Sequence, residues 1–321
     1  MILVTTRIGV DLGGTKIEAV VLRVGGDDPE VLERQRIETR QEDGYEHVVE
    51  ATAQIVADVA RGAGLKDLPP LGVGMPGSVT FRKVDGGRSE VPLVKNSNTT
   101  CLNGRPFRHD LARALGARFP AFAPGSLAFA NDANCFALAE AKYGAARGAR
   151  MAFGIILGTG VGGGVVIRCG DELSVWDGAQ GIAGEWGHVT LDPAADLPCY
   201  CGRRGCVEQY LSGPAIERAY ARRSGTRRGV AEIAIRTPYD ADAAATLDGV
   251  VEAFGRAIAT VINILDPDAI VLGGGVSNLD VLYERGPASV LRWVFNDELR
   301  TPIVKHTLGD SAGVFGAALI L

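Results

Sequence analysis

Apolar residues along this chain come in short runs that stop at glycine. "RIGVDL" (7–12) reads as a buried strand, "GGTK" breaks it, and "IEAVVL" (17–22) resumes in the other direction. "VLERQRIET" (31–39) alternates apolar and polar, so tight turns would join three strands into an antiparallel meander. Residues 44–62 change period: Val48, Ala51, Ile55, Val59 and Gly62 fall on one face of a helix. "LGVGMPG" (71–77) predicts a short buried strand running into a loop, and "PFRHDLARALG" (106–116) a helix stopped by Gly116. "SLAFAND" (126–132) predicts a strand that passes straight into the helix "ANCFALAEAKYG".

The layout then repeats. "MAFGIILGTG" (151–160) is a strand entering a glycine turn, and "GGGVVIR" (162–168) is its return. "DGVVEAFGRAIATVINIL" (248–265) is a long apolar helix feeding the strand "DAIVLGGG" (268–275). "DSAGVFGAALIL" (310–321) predicts a closing helix capped by Asp310 or Ser311. These patterns imply an α/β protein of two related halves. Residues 1–130 form the first, joined by the C-terminal helix 307–321. Residues 131–306 form the second, with an inserted loop at 188–206.

Composition narrows the function classes. The 321 residues are 46% hydrophobic and 22% charged with net charge −5, which disfavours a polyanion such as DNA as partner. No apolar stretch reaches the roughly 18 residues of a membrane helix. The N-terminus lacks the pattern of a secretory signal. Six scattered cysteines do not look like a secreted disulfide framework, so a cytoplasmic setting with reduced thiols is expected. Three of them, Cys101, Cys135 and Cys169, are expected to pack as buried free thiols.

Three glycine turns follow predicted strands: "DLGGTK" (11–16), "LGTGVGGG" (157–164) and "LGGG" (272–275). Such turns can aim backbone N–H groups at an anion. Asp11 repels phosphate, so its place there would be to hold hydrated Mg²⁺. Each turn could equally be a plain hairpin; their recurrence at strand ends argues for a divided nucleotide site. A Walker P-loop is absent, and "GTGVGG" (158–163) precedes a strand where a dinucleotide fold needs a helix.

Asp132, between a strand and a helix, could cap the helix or accept a hydroxyl proton during phosphoryl transfer. Glu185, His188 and Glu208 cluster in a glycine-rich region, where carboxylates could read sugar hydroxyls. His188, Cys199, Cys201 and Cys206 offer a Cys₃His set suited to tetrahedral Zn²⁺, with unbound surface thiols or a redox pair as alternatives. A structural ion would fix His188 and, through the chain, Glu185 and Glu208.

Together, "DLGGTK" (11–16), "GMPGSV" (74–79), "ANDANCFALAEA" (130–141), "LGTGVGGG" (157–164), "GEWGH" (184–188), "CYCGRRGCVEQYLSG" (199–213), "DPDAIVLGGGVSN" (266–278) and "GDSAGVFGAA" (309–318) resemble the ROK family of repressors and sugar kinases. The resemblance implies an actin-like ATPase fold, with two ribonuclease H-like domains around a central cleft for ATP and sugar. It implies that Asp11, Gly13, Gly14, Thr15 and Lys16 handle the ATP phosphates and Mg²⁺. Gly158, Thr159, Gly160, Gly162, Gly163 and Gly164 would form a second phosphate hairpin, and Gly273, Gly274 and Gly275 would lie near the adenosine. Asp132 would be the catalytic base and also contact the sugar, with Asn131, Glu185, His188, Glu208, Gly77, Ser78 and Asn98. His188, Cys199, Cys201 and Cys206 would bind zinc.

Within the family, "VKNSNTTCLNGRPF" (94–107) and "EWGH" look most similar to bacterial fructokinases of the mannofructokinase kind, although Cys101 stands where a tryptophan is expected. N-acetylglucosamine kinases share the zinc loop but typically carry Phe at the place of Trp186, and glucokinases are also near. Phosphorylation of a hexose 6-hydroxyl, most similar to that of fructose, is the resulting expectation. The resemblance also implies a homodimer, with no nucleic-acid or membrane partner. A sugar-responsive repressor is disfavoured, because the glycine turn at Asp11 leaves no room for a preceding DNA-binding domain. A sugar-binding regulator without catalysis is disfavoured by the presence of Asp11 and Asp132.

Overall fold

The computed structural model of the chain describes residues 4–83 and 85–321. They fall into two compact units. The first runs to Tyr143 and also takes Asp177–Ile182 and Leu308–Leu321; the second is Gly144–Trp176 with Ala183–Thr307.

In the first unit β1 (Thr5–Leu12), β2 (Lys16–Val24) and β3 (Glu30–Glu38) form the antiparallel meander. β4 (Leu71–Met75) lies parallel to β1. A hairpin of β5 (Ser78–Arg82) and β6 (Arg88–Lys95) follows, and β7 (Leu127–Asn131) lies parallel to β4. The sheet order among the described residues is β3-β2-β1-β4-β7. Helix α1 (Tyr45–Gly62) buries Val48, Ile55 and Val59 in one core with Ile8, Val10, Leu12 and Val73; Gly62 is exposed at its end. Helix α2 (Phe107–Arg118) passes through Gly116 rather than stopping there: Phe119 N–H donates to the Leu115 carbonyl at 2.8 Å, and the Arg118 guanidinium folds back to donate to the Ala114 carbonyl at 3.0 Å.

Helix α3 (Asp132–Tyr143) belongs to this first unit, not to the second half as the sequence pattern suggests. It packs on the closing helix, Ala312–Leu319, so closely that a Cβ on Gly316 would stand 1.7 Å from the Cys135 carbonyl oxygen. The closing helix also lies on the sheet, where a Cβ on Gly72 of β4 would meet the Ala317 carbonyl oxygen at 1.8 Å. Its predicted side-chain cap is not formed. Gly309–Ser311 is a 3₁₀ turn, and Ser311 Oγ instead accepts from Arg34 Nη1 at 3.0 Å.

The second unit repeats the plan. β8 (Met151–Leu157), β9 (Val161–Cys169) and β10 (Glu172–Val175) are antiparallel; β11 (Ala269–Gly273) and β12 (Ile303–Lys305) add parallel strands. The order β10-β9-β8-β11-β12 matches the first sheet. Three antiparallel strands followed by two parallel ones make each unit ribonuclease H-like, as the fold expectation required. Short helices α4 (Glu208–Leu211), α5 (Gly213–Ser224) and α6 (Val230–Arg236) precede α7 (Ala241–Leu265); α8 (Val281–Glu284) and α9 (Gly286–Leu291) follow. Helix α7 starts before the predicted residue 248 because Asp240 caps it, accepting from the Asp242 and Ala243 amides at 3.0 and 3.1 Å. Its Phe254, Ala257 and Ile258 are buried against Phe153, Ile155 and Ile270 of the sheet. No described helix is long and apolar enough to cross a membrane.

Candidate active site and metal centre

The parallel pairing of the first sheet puts Asp11, Gly74 and Ala130 in one row across β1, β4 and β7. Asp132, just past Ala130, therefore emerges at the same carboxyl-terminal edge as Asp11, where α/β sheets present ligand sites. The two charges act on each other. Burial, then the neighbouring Asp132, push the Asp11 carboxyl from 3.8 up to about 6, against the opposing pull of Lys16 and Arg36.

The β1–β2 turn is pinned from outside. Gly13 N–H donates to the Lys16 carbonyl at 2.9 Å, and Thr39 Oγ1 donates to the Gly13 carbonyl at 2.7 Å. Gln41 donates to the Gly14 carbonyl at 3.1 Å while accepting from Thr100 N–H at 3.0 Å. The turn residues Gly13, Gly14, Thr15 and Lys16 are thereby fixed by a bridge that the sequence motifs do not include. Opposite Asp11 on β2, Glu18 is 1% exposed and holds the guanidinium groups of Arg34 and Arg36. Lys16 Nζ is 4.0 Å from the same carboxylate. This basic cluster beside Asp11 has no short-motif signature, because Arg34 and Arg36 come from β3.

Asn131 ties the β7 exit together. Its Nδ2 donates to the Gly77 carbonyl at 3.0 Å, and its Oδ1 accepts from Ala133 N–H at 2.9 Å. Asp132 Oδ1 accepts from the same amide at 2.9 Å, so Asp132 both opens α3 and stands at the sheet edge. Ser78 begins β5 next to Gly77, and Asn98 is exposed on the loop whose backbone passes Gly14.

The second unit holds the remaining residues. The tight turn is Gly158–Gly160, closed by Gly158 N–H donating to the Gly160 carbonyl at 2.9 Å; Thr159 at its tip is exposed. Gly162, Gly163 and Gly164 are not part of that turn. They lie in β9, paired with Ile156, Ile155 and Gly154. Gly163 is small for another reason: a Cβ there would stand 2.8 Å from the Gly184 carbonyl oxygen. Gly273 pairs with Ile156, which sets Gly274 and Gly275 beside the same turn. Glu208, buried at the start of α4, accepts from Val161 N–H at 3.1 Å and so fastens the turn's return strand. Glu185 and His188 share a 3₁₀ turn with Glu185 exposed. Trp186 between them points the other way. It is buried, meets Phe153 edge to face, and donates to the Ala257 carbonyl at 3.0 Å.

Among the described residues, His188, Cys199, Cys201 and Cys206 bring one ligand atom each within 4.8 Å of all the others. Cys199 Sγ is 3.5 Å from His188 Nδ1, and Cys201 Sγ is 3.6 Å from Cys206 Sγ. A zinc tetrahedron built with ordinary Zn–S and Zn–N lengths has edges of about 3.6 Å (S to N) and about 3.8 Å (S to S). The residues fit such an ion. All six cysteines are free thiols. Of the three cysteines expected to pack, Cys135 is buried and Cys101 half-buried, but Cys169, the last residue of β9, is exposed.

The profile of the ROK family matches residues 7–321. The N-acetyl-D-glucosamine kinase of Photobacterium profundum is 33% identical over 325 aligned positions, covering 97% of this chain and 98% of that protein. Among solved structures, a ROK hexokinase from Thermus thermophilus superposes with a TM-score of 0.81 at 31% identity, covering 98% of this chain and 97% of that one. A ROK glucokinase from Streptomyces griseus, solved with glucose and AMPPNP, gives 0.70 at 28% identity, with 98% of each chain covered. Two ribonuclease H-like units and a family match over nearly the whole sequence agree: the fold is the actin-like ATPase fold, and the chain belongs to the ROK family.

Proposed function

We propose that this protein is an ATP-dependent kinase that phosphorylates the 6-hydroxyl of a hexose, with N-acetyl-D-glucosamine the leading substrate. The observation that carries the reaction class is the arrival of Asp11 and Asp132 at one sheet edge, beside a glycine turn held rigid by Thr39 and Gln41. Kinase relatives over nearly the full length support it.

In this reading Asp132 takes the proton of the attacking hydroxyl. Asn131 aims it by fixing the strand-to-helix corner through Gly77 and Ala133. Lys16 and the amides of the two glycine turns offset charge on the transferring phosphoryl group. Asp11 would hold Mg²⁺, and its raised pKa fits that role, since a carboxyl pressed by a second carboxylate gains from a divalent cation. Bound Mg²⁺ supplies charge neutralisation at the phosphate oxygens. Gly273, Gly274 and Gly275 would face the adenosine, while Gly77, Ser78, Asn98, Glu185, His188 and Glu208 would read the sugar. Zinc held by His188, Cys199, Cys201 and Cys206 would be structural: four protein ligands close the shell and leave no open position.

Fructose is the second reading, favoured by the "VKNSNTTCLNGRPF" segment. The other feature that points to it is Trp186, and Trp186 is a core residue whose indole is spent on Ala257. Trp186 therefore gives little support to fructose, and the N-acetyl-D-glucosamine kinases among the relatives support placing that sugar first. A coupled ADP-release assay with N-acetylglucosamine, glucose, mannose and fructose tests both readings. The highest kcat/KM is expected for N-acetylglucosamine; turnover of none of the four would leave a non-catalytic sugar-binding regulator. A homodimer in the cytoplasm belongs to the same reading, and light scattering on the purified protein tests the assembly.

A further inference from the structure

His188 offers its two ring nitrogens to different partners. Nδ1 faces the ligand cluster, 3.5 Å from Cys199 Sγ, and Nε2 lies 2.8 Å from the Tyr200 hydroxyl. The two rings meet edge to face at 5.0 Å. Tyr200 is 72% exposed, so core packing does not account for an aromatic residue there. It sits between Cys199 and Cys201, so one three-residue stretch supplies two ligand atoms and the hydroxyl that meets a third ligand's ring.

We propose that Tyr200 is the outer-shell partner of the metal centre, a positioning residue that fixes His188 in the ligating tautomer. An imidazole whose Nδ1 lone pair goes to a metal must carry its proton on Nε2. That N–H needs an acceptor, and with no sugar bound the phenol oxygen is in place for it; a sugar hydroxyl read by His188 would take over the same N–H. Accepting this bond orients the ring and increases the electron density that Nδ1 offers to the ion. Arg203 holds the same residue from its backbone side, Nη1 donating to the His188 carbonyl at 3.2 Å. His188 is thus clamped at ring and main chain by two residues of the loop that supplies the other ligands.

This inference rests on the zinc reading, and its test separates the two. Zinc release from the purified holoprotein to a chromogenic chelator is followed for wild type, Tyr200→Phe and Tyr239→Phe. Tyr239 is also exposed, 69%, and lies outside the metal loop, so its variant is the control. Tyr200→Phe keeps the ring and removes only the acceptor oxygen; zinc release about tenfold faster than wild type is expected, with Tyr239→Phe unchanged. The Co²⁺-substituted Tyr200→Phe protein should also show shifted ligand-field bands, which loss of a merely structural contact elsewhere would not produce. Release within twofold of wild type, with superimposable Co²⁺ spectra, overturns the assignment of Tyr200 while leaving the metal centre standing. A wild-type protein that carries no zinc and takes up no Co²⁺ overturns both.

Discussion

Glu208 Oε2 accepts a hydrogen bond from Val161 N–H at 3.1 Å, joining the first residue of α4 to the first residue of β9. A buried carboxylate with a backbone partner is a joint as well as a binding group. Glu208→Ala leaves the Val161 amide unsatisfied in a buried setting, a cost of roughly 1–3 kcal/mol. Glu208→Gln keeps an acceptor oxygen and should recover most of that stability. Urea denaturation of the two variants checks this; equal loss in both would mean the bond contributes little.

Asp132→Asn should lower kcat by at least about 10²-fold, because the amide cannot take a proton. The fold should be unaffected, since the asparagine oxygen can still accept from Ala133 N–H. Turnover near the wild-type value with the preferred sugar would remove Asp132 from the role of base.

Asp11 makes stability depend on pH in an unusual direction. Its folded pKa is about 6 against an ordinary 3.8, so between these values the folded state keeps a proton that the unfolded chain has released. Stability therefore falls as pH rises through that window and stays lowered above it. Asp11→Asn should be more stable than wild type at pH 7 without Mg²⁺, by an amount on the order of 1 kcal/mol, with the difference vanishing below about pH 4. The same variant should lose Mg²⁺-dependent turnover. Parallel denaturation curves at pH 4 and 7 give the first result, and the coupled assay the second.

Cys201 is the exposed member of the candidate metal-ligand set. Cys201→Ser should leave the purified protein largely metal-free by mass spectrometry and lower its Tm, because a structural ion contributes its binding energy to the folded state. Full zinc content in that variant would show that three ligands suffice.

Gly72→Ala should destabilise strongly, by about 3 kcal/mol or more, because the new methyl group falls 1.8 Å from the Ala317 carbonyl oxygen and backbone must move. Gly116→Ala has open space and should be neutral or slightly stabilising in α2. Thermal melts of the pair give the contrast.

Most strands and long helices are legible in the sequence because their signal is local. A run such as Ile8–Val10–Leu12 bounded by Gly13 and Gly14 predicts β1 with no knowledge of its neighbours, and the spacing of His188, Cys199, Cys201 and Cys206 points to their clustering in the same way. What the sequence hides is set by contacts far along the chain. The sequence pattern puts helix α3 in the wrong half because its place is decided by Gly316, and nothing near residue 132 announces that packing. Helix α2 runs past Gly116, with Leu111 and Leu115 buried in a core whose other members lie far along the chain. The hairpin of β5 and β6 leaves little trace, since its exposed positions mix apolar Val79 and Phe81 with polar Arg88 and Glu90 and β6 includes Pro92. Gln41, Arg34 and Arg36 reach the Asp11 region only through the meander, so no short motif contains them.

The closing helix, Ala312–Leu319, lies on β4 through Gly72 and on α3 through Gly316. The first unit therefore cannot complete its packing until residues far further along the chain than Tyr143 have been made. Its sheet keeps one face without this cover until Leu308–Leu321 has left the exit tunnel. A nascent chain stalled just short of Leu308 would leave the face of the amino-terminal sheet that this helix covers open, and chaperones would be expected to engage it there.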